Sequence, residues 1–116
     1  MDARVQIVMS RIAENLRLPL RWVEVAESVN LSASRLQHLF KAHVNMTPAQ
    51  YLKSVRIHQA KELLETTLLS VKEIRARLGI NDESHFVRDF KKTYGLPPLQ
   101  YRIRYHAMKR DSYSGQ

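Results

Sequence analysis

The feature that most constrains this chain is that it repeats itself. Leu36 to Tyr51 reads LQHLFKAHVNMTPAQY, and Phe86 to Tyr101 reads FVRDFKKTYGLPPLQY. At an offset of 50, Phe40 meets Phe90, Lys41 meets Lys91, Pro48 meets Pro98, and Gln50-Tyr51 meets Gln100-Tyr101. Asn45 meets Gly95, the two residue types that most readily turn left-handed after a helix. Further upstream the offset is 49: Val25 meets Ile74, Val29 meets Leu78, and Leu31 meets Ile80. The second copy therefore carries one extra residue in its turn. A few apolar matches arise easily by chance, but F-K, N/G, P and Q-Y in register mark a duplicated unit.

Each copy has the signals of two helices around a turn. Val5, Val8, Met9, Ile12 and Leu16 fall at helical spacing, and Pro19 follows. A short helix is expected from about Trp22 to Val29. Ser32 is a suitable N-cap for the next, with Leu36, Leu39, Phe40 and Val44 as its apolar stripe. Thr47-Pro48 opens a long helix whose inward face is expected at Tyr51, Leu52, Val55, Ala60, Leu63 and Leu64. Ser70 and Glu73 have capping-box spacing, and Gly79 closes a short helix carrying Val71, Ile74 and Leu78. Asn81 or Asp82 caps a helix bearing Phe86, Phe90 and Tyr94, and Pro97-Pro98 begins a last helix through about His106.

No segment alternates with a strand period, so the expected fold is all-α, with about seven helices. Two helix-turn-helix subdomains, 1–46 and 66–107, are joined by a linker helix, 47–65, and followed by a frayed polar tail, 108–116. In a helix-turn-helix the first helix braces the second, whose polar face can enter the roughly 12 Å major groove. A central helix of about 18 residues spans roughly 27 Å. Two reading helices about one duplex turn apart, roughly 34 Å, would meet successive major grooves.

Composition agrees. The 116 residues carry 19 Lys+Arg against 11 Asp+Glu, a net +8, which favours an anionic partner. Residues 1–58 hold 8 basic and 4 acidic side chains and residues 59–116 hold 11 and 7, leaving +4 in each half. There is no Cys, which excludes disulfides, thiolate metal sites and a cysteine nucleophile. The start lacks the apolar run of a signal peptide, and no window approaches the ~18 apolar residues of a membrane span. A cytoplasmic location is the expectation.

The strings LSASRLQHLFKAHVNMTPAQYL, RIHQAKELL and IRARLGINDESHFVRDFKKTYGLPPLQYR resemble the AraC/XylS-type DNA-binding domain. The resemblance runs from about Ile7 to Arg104. It implies a bacterial, homeodomain-like transcription regulator with two helix-turn-helix motifs, binding double-stranded DNA and acting with RNA polymerase. The isolated domain is expected to be monomeric, with dimerisation left to a separate effector domain where one exists. Three residues depart from the family pattern. Asn45 replaces a glycine, Ile80 a phenylalanine, and Arg75 an alanine whose counterpart in the first copy is Ala26. A cation at that close helix contact must snorkel outward or displace the bracing helix.

Removing the apolar stripe leaves Ser32, Ser34, Arg35, Gln37, His38 and Lys41 on the outward face of the first reading helix. The resemblance carries base contact to Ser34, Gln37 and His38. Glutamine suits adenine, and histidine can donate to guanine; otherwise the two are solvated surface residues. The second helix exposes Glu83, Ser84, His85, Val87, Arg88, Lys91 and Lys92. Arg88 and Ser84 are base-contact candidates, and arginine to guanine is the commonest specific contact. A surface ion pair of Arg88 with Glu83 or Glu73 is the alternative. Glu83 either accepts from a cytosine amino group or caps the helix. Val87 meets a thymine methyl or belongs to the core. Arg35, Lys41, Lys91, Lys92, Arg102 and Arg104 are expected on phosphates, which position without specifying. Arg56 reads as an internal ion-pair residue facing Glu62 or Asp89.

Enzyme readings lack support. The 5 His, at 38, 43, 58, 85 and 106, have no metal-ligand spacing, and 3 Gly form no phosphate loop. No cofactor and no metal is expected. Alkyl-acceptor repair proteins with such a domain need the cysteine that is missing. The competing classes are a helical protein-interaction module and a nonspecific nucleic-acid binder.

Overall fold

Most of the helices start where the sequence supplies a side-chain cap. The computed structural model describes residues 1–114. Among them lie seven α-helices and no strand: α1 Ala3–Glu14, α2 Trp22–Glu27, α3 Ala33–Val44, α4 Pro48–Thr66, α5 Val71–Leu78, α6 Glu83–Tyr94 and α7 Pro98–Ser114. Asp2 caps α1, Ser32 caps α3 and Asp82 caps α6, each accepting from a backbone N–H of the first turn. Ser70 and Glu73 form the full capping box of α5. Thr47 and Gln50 make a second reciprocal pair at α4, at 2.9 and 3.2 Å.

The chain divides into two units, Met1–Val55 and Arg56–Gln116, so α4 contributes its first half to one and its second half to the other. The expected linker helix therefore belongs to both cores. The first core gathers Val5, Val8, Ile12, Val25, Ala26, Val29, Leu36, Phe40 and Leu52. In the second, Ile57, Ala60, Leu64, Ile74, Leu78, Phe86 and Phe90 are buried. Ile57 was not expected on the inward face of α4. Its step of five from Leu52 breaks a single stripe, because the two halves of the helix serve different cores.

The duplication holds in three dimensions. Positive φ occurs at Asn30 and Gly79 in the two turns, and at Asn45 and Gly95 after the two reading helices. Leu31 N donates to Ala26 O at 2.9 Å, and Ile80 N donates to Arg75 O at 2.9 Å. Phe40 meets Tyr51 edge-on at 5.6 Å, and Phe90 meets Tyr101 edge-on at 5.4 Å. Ser32 and Asp82 are equivalent caps, which identifies Asn81 as the extra residue of the second turn.

The last helix corrects one expectation. It runs to Ser114 rather than ending near His106, so most of the stretch read as a frayed tail is helical. Ala107, Met108, Lys109 and Arg110 are good helix formers, and no Gly or Pro interrupts them. Lys109 Nζ also lies 5.9 Å from the centre of the Tyr105 ring, one turn earlier. Residues 115 and 116 of that stretch lie outside the described residues.

Two stability predictions follow from this packing. Phe90→Ala should destabilise the second unit by about 3–5 kcal/mol, read by chemical denaturation against the wild type. The Asp2 carboxyl is held at about 2 by its hydrogen bonds to Arg4, and Glu73 and Asp82 are lowered by the backbone bonds they accept. Depressed carboxylates contribute stability at neutral pH and lose it as they are protonated. The thermal midpoint should thus be level above about pH 5 and fall between about pH 4.5 and 2. A midpoint unchanged down to about pH 2 would contradict these caps.

Candidate nucleic-acid interface

The two capped helices α3 and α6 each turn phenylalanine inward and a polar face outward. Phe40 is fully buried, and Ser34, Arg35, Gln37, His38 and Lys41 of the same helix are exposed. Ser34, Gln37, His38 and Lys41 recur three or four residues apart, so they share a flank. On α6, Phe86 and Phe90 are buried while Glu83, Ser84, Arg88, Lys91 and Lys92 are exposed. Val87 is half-buried, so its methyl groups are shared between core and surface. An open cleft of about 430 Å³ adjoins α3, lined by Arg4, Leu31, Arg35, His38 and Leu39. Sequence reasoning gave Arg4 no role; its guanidinium is held by Asp2 at 2.9 Å, a pairing of neighbours that periodicity does not report.

Arg88 is two-thirds exposed, and its Nε stands 3.7 Å from Asp89 Oδ1, a long contact. Neither Glu83 nor Glu73 takes it. Glu73 serves its capping box, and Glu83 stands 3.6 Å from Arg75. His85 Nδ1 lies 2.9 Å from Asp82 on the same turn.

Arg102 departs from expectation. Its Nε donates to Leu64 O at 3.1 Å, and its Nη2 donates to Thr67 O at 3.2 Å and Leu63 O at 3.4 Å. Leu63 O already accepts from Thr67 N at 3.0 Å and Thr67 Oγ1 at 2.6 Å, whereas no helical N–H follows for Leu64 O and Thr67 O, so the guanidinium closes the end of α4. Beside it, Glu65 accepts from the Tyr101 hydroxyl and pairs with Lys61 at 3.1 Å. Burial pushes the Tyr101 hydroxyl well above its usual range, and the Glu65 carboxylate adds to that. Burial also raises Glu65, but the Tyr101 and Lys61 bonds outweigh it and hold the carboxyl low. Arg56 is half-buried, and burial lowers its guanidinium. Glu62 faces His58 Nε2 at 3.2 Å.

Among the described residues no cluster of His, Asp and Glu could hold a metal ion, and no helix is long and apolar enough to cross a membrane.

A family model described as a helix-turn-helix domain matches residues 25–104, through both turns and both polar helices. The chain belongs to the AraC-type helix-turn-helix family. This AraC-type chain is 35% identical over 103 residues to the arabinose operon regulatory protein of Salmonella typhimurium, covering 88% of the chain and 37% of that protein. It is 32% identical over 101 residues to the transcriptional activator RhaS of an Enterobacter species, covering 87% of the chain and 36% of RhaS. It thus spans about a third of the length of these curated relatives. Among solved structures it is similar to the C-terminal domain of AraT, a response regulator from Geobacillus stearothermophilus. That match has 30% identity and a TM-score of 0.80, covering 89% of this chain and 86% of that one. It is also similar to the DNA-binding domain of the global transcriptional factor AdpA, solved with a target DNA. Here the identity is 26% and the TM-score 0.85, covering 94% and 98% of the two chains.

The cap assigned to Arg102 gives a prediction that separates it from a phosphate contact. Arg102→Gln should lower the stability of the second unit by about 1–3 kcal/mol, the worth of charge-assisted bonds to the carbonyls at the end of α4. The salt dependence of DNA binding should be unchanged, whereas a lost phosphate contact would reduce the slope by about one.

Proposed function

We propose that this AraC-type domain binds double-stranded DNA by sequence and regulates transcription in the bacterial cytoplasm. The observation that carries the reading is the matched pair of capped helices, each rolled by a buried phenylalanine so that a polar, basic flank faces solvent. The likeness to a domain solved on its target DNA supports it. In this reading Ser34, Gln37 and His38 read bases from α3, and Ser84 and Arg88 read them from α6. Arg35, Lys41, Lys91 and Lys92 meet phosphates, and the two reading helices enter successive major grooves. The domain acts as a binding module, with no catalytic step. Contact with RNA polymerase and a monomeric state of the isolated domain are part of the same proposal.

Selection from a random duplex pool, followed by a salt series on selected and scrambled duplexes, tests the reading. Specific binding should show a steep salt slope and discrimination of about 4–10 kcal/mol. Equal affinity for every duplex would make the domain a nonspecific binder, and no binding at low salt would make it an interaction module. Arg88→Ala should cost about 1–3 kcal/mol and relax preference at one or two base pairs, while Lys91→Ala should weaken all duplexes alike. Unchanged selected sequences for Arg88→Ala would show that α6 docks differently.

A further inference from the structure

The repeat is broken at position 75, in a way that bears on the second reading helix. The first copy has Ala26 there, fully buried. The second has Arg75, whose side chain is only 15% exposed. The closing bond of the turn does not give way, since Arg75 O and Ala26 O accept their turn N–H at the same 2.9 Å. The side chain lies along the turn instead of reaching out to solvent. Its Nη1 donates to Ile80 O and Asn81 O, each at 3.4 Å, and its Nη2 stands 3.6 Å from Glu83 Oε2. The Nε atom is buried and has no acceptor. Asn81 is the residue that lengthens this turn. One guanidinium therefore joins the bracing helix, the extra turn residue and the first residue of α6.

A cation this enclosed depends on its counter-charge, because the two carbonyl bonds are long. Glu83 itself is 68% exposed, so losing it strips the enclosed guanidinium of its counter-charge, while losing Arg75 leaves a free carboxylate in water. Glu83, for its part, stands in the first turn of a helix proposed to approach a polyanion. An unpaired carboxylate there repels phosphate, and a paired one does so far less. We infer that Arg75 is a positioning residue for the second reading helix and that Glu83 is its tether. The pair fixes the start of α6 and masks the acidic charge, leaving base choice to Ser84 and Arg88. This rests on the DNA-reading function proposed above.

Four proteins test it: the wild type, Arg75→Ala, Glu83→Gln and the double variant. Each is titrated with the duplex selected by the wild type and with single-base variants of it. Glu83→Gln should keep every base preference within about twofold, since a masked carboxylate reads no base. Arg75→Ala should lose about tenfold in affinity alone, and about threefold or less when Glu83→Gln is already present, the signature of coupled neighbours. Equal losses in both backgrounds would overturn the masking. A preference lost at one base pair in Glu83→Gln would overturn the tether and make Glu83 a base reader, and that single variant decides even if Arg75→Ala does not fold. Thermal midpoints of the same proteins report the pair without DNA, and additive midpoints would overturn it. Failure of the wild type to prefer its selected duplex would instead overturn the function proposed above, a result separable from the midpoints.

Discussion

Buried phenylalanine on each reading helix decides what the rest of the helix can offer. Phe40 and Phe90 have no exposed surface, and each is held by the edge contact of a tyrosine from the helix that follows. With the ring locked in a close-packed core, the helix cannot roll about its axis without opening a cavity. The outward flank is then fixed by subtraction. Ser34, Gln37, His38 and Lys41 face solvent because Leu36 and Phe40 cannot, and Ser84, Arg88 and Lys91 do so because Phe86 and Phe90 cannot. The left-handed residues Asn45 and Gly95 end each helix just beyond its lysine, and turn the chain into the next helix of the same core.

The positive charge follows a similar division of labour. Many acidic side chains already have work inside the protein. Asp2 and Asp82 cap helices, Glu73 completes a capping box, Glu65 joins Tyr101 and Lys61, and Glu83 faces Arg75. The cations on the outward flanks of α3 and α6 are not matched by carboxylates of the same number. Helix α3 carries Arg35 and Lys41 with no acid, and α6 carries Arg88, Lys91 and Lys92 against Glu83 and Asp89, so part of the +8 stands on the flanks an anionic partner would meet.

What could be read beforehand was what the backbone and the repeat encode locally. Caps at Ser32, Ser70 and Asp82, the stop at Gly79 and the stripes through Leu36-Phe40 and Phe86-Phe90 are short-range signals, and they place the helices and their outward flanks. Other features depended on partners distant in sequence. Arg102 resembles a phosphate ligand until the end of α4, more than thirty residues earlier in the chain, proves to need its donors. Ile57 looks misplaced on α4 because one helix feeds two cores. Arg75 appeared only as an intruder at a tight contact. Its accommodation depends on the carbonyl of an extra residue, Asn81, which the count of residues in the turn revealed without showing its orientation.

The duplication has a consequence for symmetry. Two identical subunits related by a two-fold axis are matched to a palindrome, which looks the same from either end. Here the two copies follow one another in a single sequence, and their outward residues differ. Gln37 corresponds to Val87, His38 to Arg88 and Arg35 to His85, and only the second turn carries Asn81. Such a pair has a front and a back, so any duplex it recognises through both heads is held with a polarity. Inverting a binding site would reverse this domain along the duplex, a handedness that a symmetric dimer cannot express.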